Sequence, residues 1–444
     1  MLIVNVTWLS WVIFAVVGYY GLLLAVPATR QAASMVNGRR RRVSGSPRRP
    51  FIVLVIPAHN EEAVIGQTLT TLEALDYPDR LVLVMDDGST DVTSQVASMF
   101  TFSGRVLVVK RDREIAGRGK GAVLNHAFAL VSEMVASRDP RLRGRSADEV
   151  VVGVMDADGQ LEADALSKVA PFFTGRRNAG IGGVQIGVRI ANATTNLLTR
   201  MQDFEFVGSA AIVQSSRNSF GSVGLGGNGQ FTRLSALKAL GRDPWTACLT
   251  EDLDLSLSLA EIGWDIRFCS DTFVAQQGLT RLWPLLRQRT RWIQGHYQCW
   301  RHLPLIWGSR HLRLRAKLDL SVDLLMVLFV LVVFSGLMIN LLAWAGLLVP
   351  VDTSLDAITN PELNKVAQLM LSVGPLAGFV CVYQRHTATP LRWWELPAAG
   401  LLFALYAYVF VFSQAWACVR LLARRGSWAK TPRVSAEIAV NVAS

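Results

Sequence analysis

"VVVGVMDADGQL", Val150 to Leu161, is the stretch whose reading decides the rest of the chain. Five apolar or small residues pass through Met155 into two aspartates separated by one residue, and then into Gly159. A continuous apolar run of this length suits a strand buried on both faces of a parallel sheet. Two readings of its end stand side by side. Asp and Gly are common turn formers, so "DADG" suits a solvated turn. Open α/β sheets keep their ligands at the carboxyl ends of the strands, and paired carboxylates there suit a hard divalent cation.

Three earlier runs have the same character: "FIVLVIP" (Phe51 to Pro57), "RLVLVMD" (Arg80 to Asp86) and "RVLVVK" (Arg105 to Lys110). Helical stretches separate them: "EEAVIGQTLTTLEAL", "DVTSQVASMF" and "KGAVLNHAFALVSEMV". Such alternation predicts a doubly wound, mostly parallel, Rossmann-like α/β sheet. "PAHNEE" follows the first strand, "DDGST" the second and "DADG" the fourth. Three polar tips on one sheet edge point to a ligand cleft more than to three separate turns.

The composition places this domain in a membrane protein. Four windows lack Asp, Glu, Lys and Arg: Trp8 to Ala28, Leu324 to Val351, Val366 to Gln384 and Leu396 to Val419. Each reaches the roughly 17–25 residues that cross a hydrocarbon core as a helix. The expected organisation is a first span over 1–30 and a basic linker over 31–50. A globular domain over 51–315 follows, then about three spans over 316–420 and a basic tail over 421–444. The Arg-rich "NGRRRRVSGSPRR" after the first span marks the cytosolic side, which puts the globular domain in the cytosol of a multi-pass protein. The same rule sets the basic tail inside, whereas three further spans put it outside. The first span reads as retained rather than as a cleaved leader, because its positive charge follows it.

The net charge of +11 fits anionic lipid at these Arg clusters, and no aromatic-basic pattern accompanies it to suggest nucleic acid. Five scattered cysteines show neither zinc spacing nor a disulfide framework, as in a reduced cytosol.

The ordered motifs resemble those of the membrane-embedded inverting glycosyltransferases of family 2, which include cellulose, chitin and hyaluronan synthases. They are "PAHNEE" (57–62), "DDGST" (86–90), "RGKGAVLN" (118–125), "DAD" (156–158), "TED" (250–252) and "QRTRW" (288–292), covering about residues 51–300. The resemblance implies a GT-A fold, a UDP-sugar donor, and Mg²⁺ or Mn²⁺ held by Asp156 and Asp158. Such an ion neutralises the charge of the diphosphate leaving group. It implies donor contacts from Ala58, Asn60 and Glu61, with His59 incidental. One of Asp86 and Asp87 would contact the uracil while the other caps the next helix. Lys120 reaches a phosphate or is merely solvated at a helix start.

Asp252 is the candidate general base, beside Glu251, since inversion needs a carboxylate to take the acceptor's proton. A solvated acidic helix face is the alternative. Resemblance further sets Gln288, Arg291 and Trp292 at the active site. "RLWPLLRQRTRWIQGHYQCWRHLPLIW" alternates apolar residues with Arg281, Arg287, Arg289, Arg291 and Arg301, which predicts an interfacial helix near 281–303; a second is expected near 196–214. "GLGGNG" (224–229) fits a dinucleotide fingerprint, but no buried strand precedes it, and a flexible acceptor loop is the preferred reading.

The expected function is therefore a metal-dependent, processive polysaccharide synthase acting on a growing glycan, with a possible homo-oligomer. The alternatives are single-sugar transfer to a lipid such as ceramide or diacylglycerol, and a non-catalytic transporter or scaffold.

Overall fold

The computed structural model describes residues 48–112, 114–328 and 377–423. The expectations placed on the first span, most of the linker, residues 329–376 and the basic tail lie outside the described residues.

Within them, β1 (Phe51–Ala58), β2 (Arg80–Asp86), β3 (Val106–Lys110) and β4 (Val150–Val154) form the parallel half of one sheet. Period-two alternation divides their side chains between two cores. Ile52, Leu54 and Ile56 of β1 face one way, against Ile65, Leu69 and Leu72 of helix α1 (Ile65–Glu73). Phe51, Val53 and Val55 face the other way, against Val123, Leu124 and Val131 of α2 (Lys120–Ala136). Each such side chain contributes about 1.5–3 kcal/mol on burial, which is why all four strands read as unbroken apolar runs.

The other half holds β5 (Gln160–Leu161), β6 (Ile181–Ile190), β7 (Gln230–Arg233) and β8 (Asp265–Gln276). The full order is β3-β2-β1-β4-β7-β6-β8-β5. The sheet is mixed rather than mostly parallel: β7 runs against β4 and β6, and β5 against β8. Its reversal has a local cause. The chain segment before β7 arrives at the edge where the parallel strands end, and Gly229 N donates to Val154 O at 3.0 Å. β7 therefore starts at the tip of β4 and must run back along it.

Register aligns the tips. Ala58 pairs with Asp86, Asp86 with Lys110, and Val55 with Val154, so the loops after β1, β2 and β4 emerge together.

Against this domain pack α3 (Leu197–Gly208), α4 (Glu251–Glu261) and α5 (Leu282–Cys299), with the apolar helices α6 (Leu396–Tyr406) and α7 (Tyr408–Leu422). α3 starts at a capping box formed by Asn196 and Thr199 and continues through a π-helical turn, Ser209–Gln214. Met201, Phe204 and Val207 of α3 share a core with Leu285, Tyr383, Tyr406 and Val409, and α5 lies along α7. Among the described residues, Trp393–Leu422 is the one helix long and apolar enough to cross a membrane. Its outer face bares Trp393, Leu401, Leu405, Phe412, Trp416 and Leu422.

Candidate active site

The aligned strand tips floor a cleft of about 470 Å³, a volume that suits a small-molecule ligand. The loop after β1 contributes Ala58, His59 and Glu61. His59, expected to be incidental, lines the cleft, because its Nδ1 donates to the Asp87 carbonyl at 2.9 Å and holds the ring there. Asn60 lies outside the lining. It takes a left-handed turn, φ 54°, and its Oδ1 accepts from Thr90 N at 2.8 Å, tying this loop to the one after β2.

The two aspartates after β2 divide their work. Asp86 accepts from Ser89 N at 2.9 Å through Oδ1 and shapes the turn, outside the cleft lining. Asp87 faces the cleft, with its carboxylate paired to buried Arg111 and accepting from Gly117 N at 3.2 Å.

At the tip of β4, Asp156 lines the cleft and Asp158 sits buried behind it, Oδ2 accepting from Gln277 N at 2.9 Å. These hard oxygens two residues apart match the donor chemistry of Mg²⁺ or Mn²⁺. Lys120, at the start of α2, meets the same field: its Nζ donates to Asp156 Oδ1 at 2.7 Å and to Gly227 O at 2.7 Å, and lies 3.8 Å from Glu251 Oε1. An ammonium beside Asp156 fits a site built to balance carboxylate charge with a cation. Burial works against the Lys120 charge, yet Asp156 and Glu251 outweigh it and raise its pKa. Lys120 is thus fixed in the cleft rather than solvated.

Glu251 and Asp252 open the first turn of α4, where the helix dipole favours negative charge. Both line the cleft. Burial pushes the Glu251 carboxyl up to about 7; Lys120 pulls against this and the neighbouring Asp252 adds to it. Burial likewise raises Asp252, opposed by Lys120. A raised carboxylate is a stronger base, suited to proton abstraction near neutral pH.

The "GLGGNG" stretch crosses over these groups. It opens strand β7 rather than a helix, which removes the dinucleotide reading. Gln185 ties it down at two points, accepting from Gly226 N at 2.8 Å and donating to Asn228 O at 2.9 Å. Asn228 in turn accepts from Asp156 N at 3.3 Å and donates to Gln276 at 2.9 Å. At Gly227 a Cβ would sit 3.1 Å from Lys120 Nζ and 3.2 Å from Asp252 Oδ2, so any larger residue would press on both charged groups.

α5 closes the cleft from the side of the apolar helices. Gln288, Arg291, Trp292 and His296 line it, one to each successive turn or step of the helix face. Arg289, read from sequence as one of the arginines on the polar face, is instead almost fully buried. It donates to Glu205 at 2.7 Å and lies 4.1 Å over the Trp292 ring, with Tyr406 beside it. Tyr406 OH also donates to Glu205 at 2.6 Å. Asp323, on a helix over residues 314–328, reaches the same cleft, where Arg217 NH2 pairs with it at 2.7 Å and Arg217 Nε with Asp319 at 3.0 Å.

A family model described as glycosyltransferase-like family 2 matches residues 47–295. The chain belongs to that family. It is 32% identical over 331 residues to a β-monoglucosyldiacylglycerol synthase from Synechocystis, covering 72% of this chain and 62% of that protein. It is 25% identical over 291 residues to the poly-β-1,6-N-acetyl-D-glucosamine synthase of Staphylococcus epidermidis, covering 65% and 62%. This chain thus spans about three-fifths of the length of either relative. Its fold is similar to that of a Pyrobaculum calidifontis mannosyltransferase solved with GDP-mannose and Mn²⁺, at a TM-score of 0.57 and 16% identity, covering 94% of this chain and 99% of that one. The domain accordingly has an α/β GT-A fold with a mixed sheet.

Sequence reasoning did not find Arg111, Gln185, Glu205, Arg217, His296, Asp323 or Tyr406. Arg111 directly follows the third apolar run and Gln185 interrupts a strand, and both are visible in hindsight as polar residues at a strand tip or in a strand interior. Glu205 and Tyr406 are 201 positions apart and meet only through the packing of α3 on α6.

Proposed function

We propose that this chain moves a hexose from a UDP-sugar, with inversion, onto the free hydroxyl of a diacylglycerol-type lipid at a membrane surface. The lipid acceptor, weighed from the sequence as an alternative, displaces the processive polymer. The relative at 32% identity is named for glycolipid synthesis, and the polymer-forming relative stands at 25%. The observation that carries this reading is the far wall of the cleft. Phe206 and Trp292 stand edge to face there, their centroids 6.2 Å apart, on two helices that pack against the apolar Trp393–Leu422 segment. An acceptor with acyl chains has an apolar approach on that side and a polar floor on the other.

In this reading Asp87 meets the nucleoside, with Arg111 holding its carboxylate in place. Lys120 and Arg291 bring positive charge to the diphosphate. Asp156 and Asp158 would hold Mg²⁺ or Mn²⁺, which supplies Lewis-acid neutralisation of the leaving group. Asp252 takes the proton of the acceptor hydroxyl as that oxygen attacks the anomeric carbon. The new carbon–oxygen bond forms on the face opposite the departing UDP, which inverts the configuration. Glu251, raised to about 7 by burial, carries only part of a negative charge near neutral pH and so limits the charge around Asp252. Trp292, with Arg289 beneath its ring, supports the acceptor. The domain faces the cytosol beside the cell membrane, where UDP-sugars are made.

The test is the full chain in nanodiscs with Mg²⁺, radiolabelled UDP-sugars and dioleoylglycerol, the products separated by solvent partition and by size. A small organic-phase glycolipid from one donor is expected. A high-mass water-phase product made without diacylglycerol would overturn the lipid acceptor.

A further inference from the structure

A second cavity, of about 250 Å³, lies at the other end of α4, separated from Asp252 by the length of that helix. At 1.5 Å per residue this is roughly 15 Å. Arg267, His311, Arg313 and Arg315 line it, and the one acidic group in its wall, Asp265, is already paired with Arg267. Arg313 and Arg315 have no ion-pair partner among the described residues. The cavity therefore presents unbalanced positive charge in a concave wall rather than on a flat surface. It is also a close-fitting wall. Gly263 takes φ 94°, and a Cβ there would sit 2.9 Å from His311 Nδ1, so the ring packs directly on backbone.

The surroundings are apolar. Leu305, Trp307, Leu314 and Leu318 next to it in sequence are all about half exposed or more. The helix over residues 314–328 leads from the cavity into the window Leu324 to Val351, which contains no Asp, Glu, Lys or Arg. Basic side chains at the start of such a segment lie at headgroup depth, where anionic lipid gathers.

We propose that this cavity binds the phosphate of an anionic phospholipid, Arg313 and Arg315 gripping the phosphodiester while the acyl chains lie along Leu314 and Leu318. The site is separate from the donor cleft, and the proposal rests on the membrane-seated reading above. Guanidinium forks match phosphate oxygens in geometry as well as in charge. α4 carries Glu251 and Asp252 at one end and reaches this cavity through Ala260 at the other, so a bound headgroup would steady the helix that holds the base.

Native mass spectrometry of the full chain, released from nanodiscs of equal phosphatidylcholine and phosphatidylglycerol, tests this without any transfer assay. Retained phosphatidylglycerol is expected on the wild type. It should fall about 25-fold in R313Q/R315Q, at about fivefold per charge, and fall by less than that in R313K/R315K, which keeps the charge and loses the fork. Equal retention of both lipids, or unchanged retention in the Gln variant, overturns the proposal. Displacement of the lipid by millimolar inorganic phosphate also overturns it, because the site would then be one for free phosphate. Glycolipid synthesis failing while lipid retention follows this pattern would strike the proposed function alone.

Discussion

Replacing Arg289 by Met tests whether the wall between the GT-A domain and the apolar helices is held by charge. The guanidinium is 1% exposed, bonded to Glu205 at 2.7 Å and stacked 4.1 Å over Trp292. Removing it leaves the Glu205 carboxylate, about one-fifth exposed, beside Tyr406 with no cation. Breaking one side of a buried pair costs about 3–5 kcal/mol, whereas replacing both sides with neutral groups of similar volume costs far less. At about 2–4 °C per kcal/mol for a domain of this size, Arg289→Met should melt about 6–20 °C below wild type. The double variant Arg289→Met/Glu205→Gln should regain most of that loss. Melting followed by intrinsic tryptophan fluorescence in nanodiscs reads all four corners of the cycle. Additive single losses would refute the reasoning, as would an Arg289→Met loss of under about 2 °C. The pair would then be an exposed-type bridge of small worth.

Asp252→Asn should reduce kcat by about 10²–10⁴-fold, the usual worth of a general base, while UDP binding by calorimetry stays within twofold; a modest loss of rate with weakened UDP binding would reassign Asp252 to the donor. Gly227→Ala should reduce kcat/KM about 10–100-fold, since its Cβ would crowd Lys120 and Asp252. Gly180→Ala, which meets nothing within 4 Å, should not; equal effects at both positions would remove the close-approach argument. His302 opposes burial with hydrogen bonds to Asp254 at 2.8 Å and Glu261 at 2.7 Å, which raise it to about 9. A raised histidine binds its proton more tightly when folded, so this contribution is complete below about pH 6.5 and is lost as pH rises through about 9. Thermal melts from pH 6 to 10 should show that decline in the wild type and a flatter profile in His302→Gln; parallel profiles would exclude His302 as its source.

The parallel half of the sheet was legible because β1, β2 and β4 are buried on both faces and so carry a solid apolar signal, while the edge strand β3 is only half-buried. Glycines and a glutamine interrupt "IGGVQIGVRI", and serine and aspartate interrupt "DIRFCSDTFVAQ", so β6 and β8 did not stand out. The mixed direction followed from where the glycine-rich segment meets β4, a contact between residues 75 positions apart that no local pattern encodes. Asp87, Asp156, Glu251 and Asp252 stand out through the family motifs that carry them, and each also ends a strand or begins a helix, where position aims a side chain at the cleft. Asp86 and Asp87 have identical chemistry, and only Ser89 and Arg111 decide which turns inward. Arg289 was misread for a related reason. Charge at helical spacing predicts an exposed face until something of opposite charge, here Glu205, packs on it from another helix.

Under the proposed function, the pairing of Arg217 with Asp323 has a chemical consequence for the donor. Asp323 belongs to the helix that leads out of the domain, yet it walls the same cleft as Asp252. The candidate cleft is therefore completed by a piece of chain that the GT-A sheet does not contain. A sugar held for attack by a hydroxyl is equally open to attack by water, and selectivity between the two depends on a closed vessel. Cut away from its outer helices, this domain would keep its carboxylates and its grip on the nucleotide but lose a side of that vessel. Hydrolysis of its own donor would then compete with synthesis.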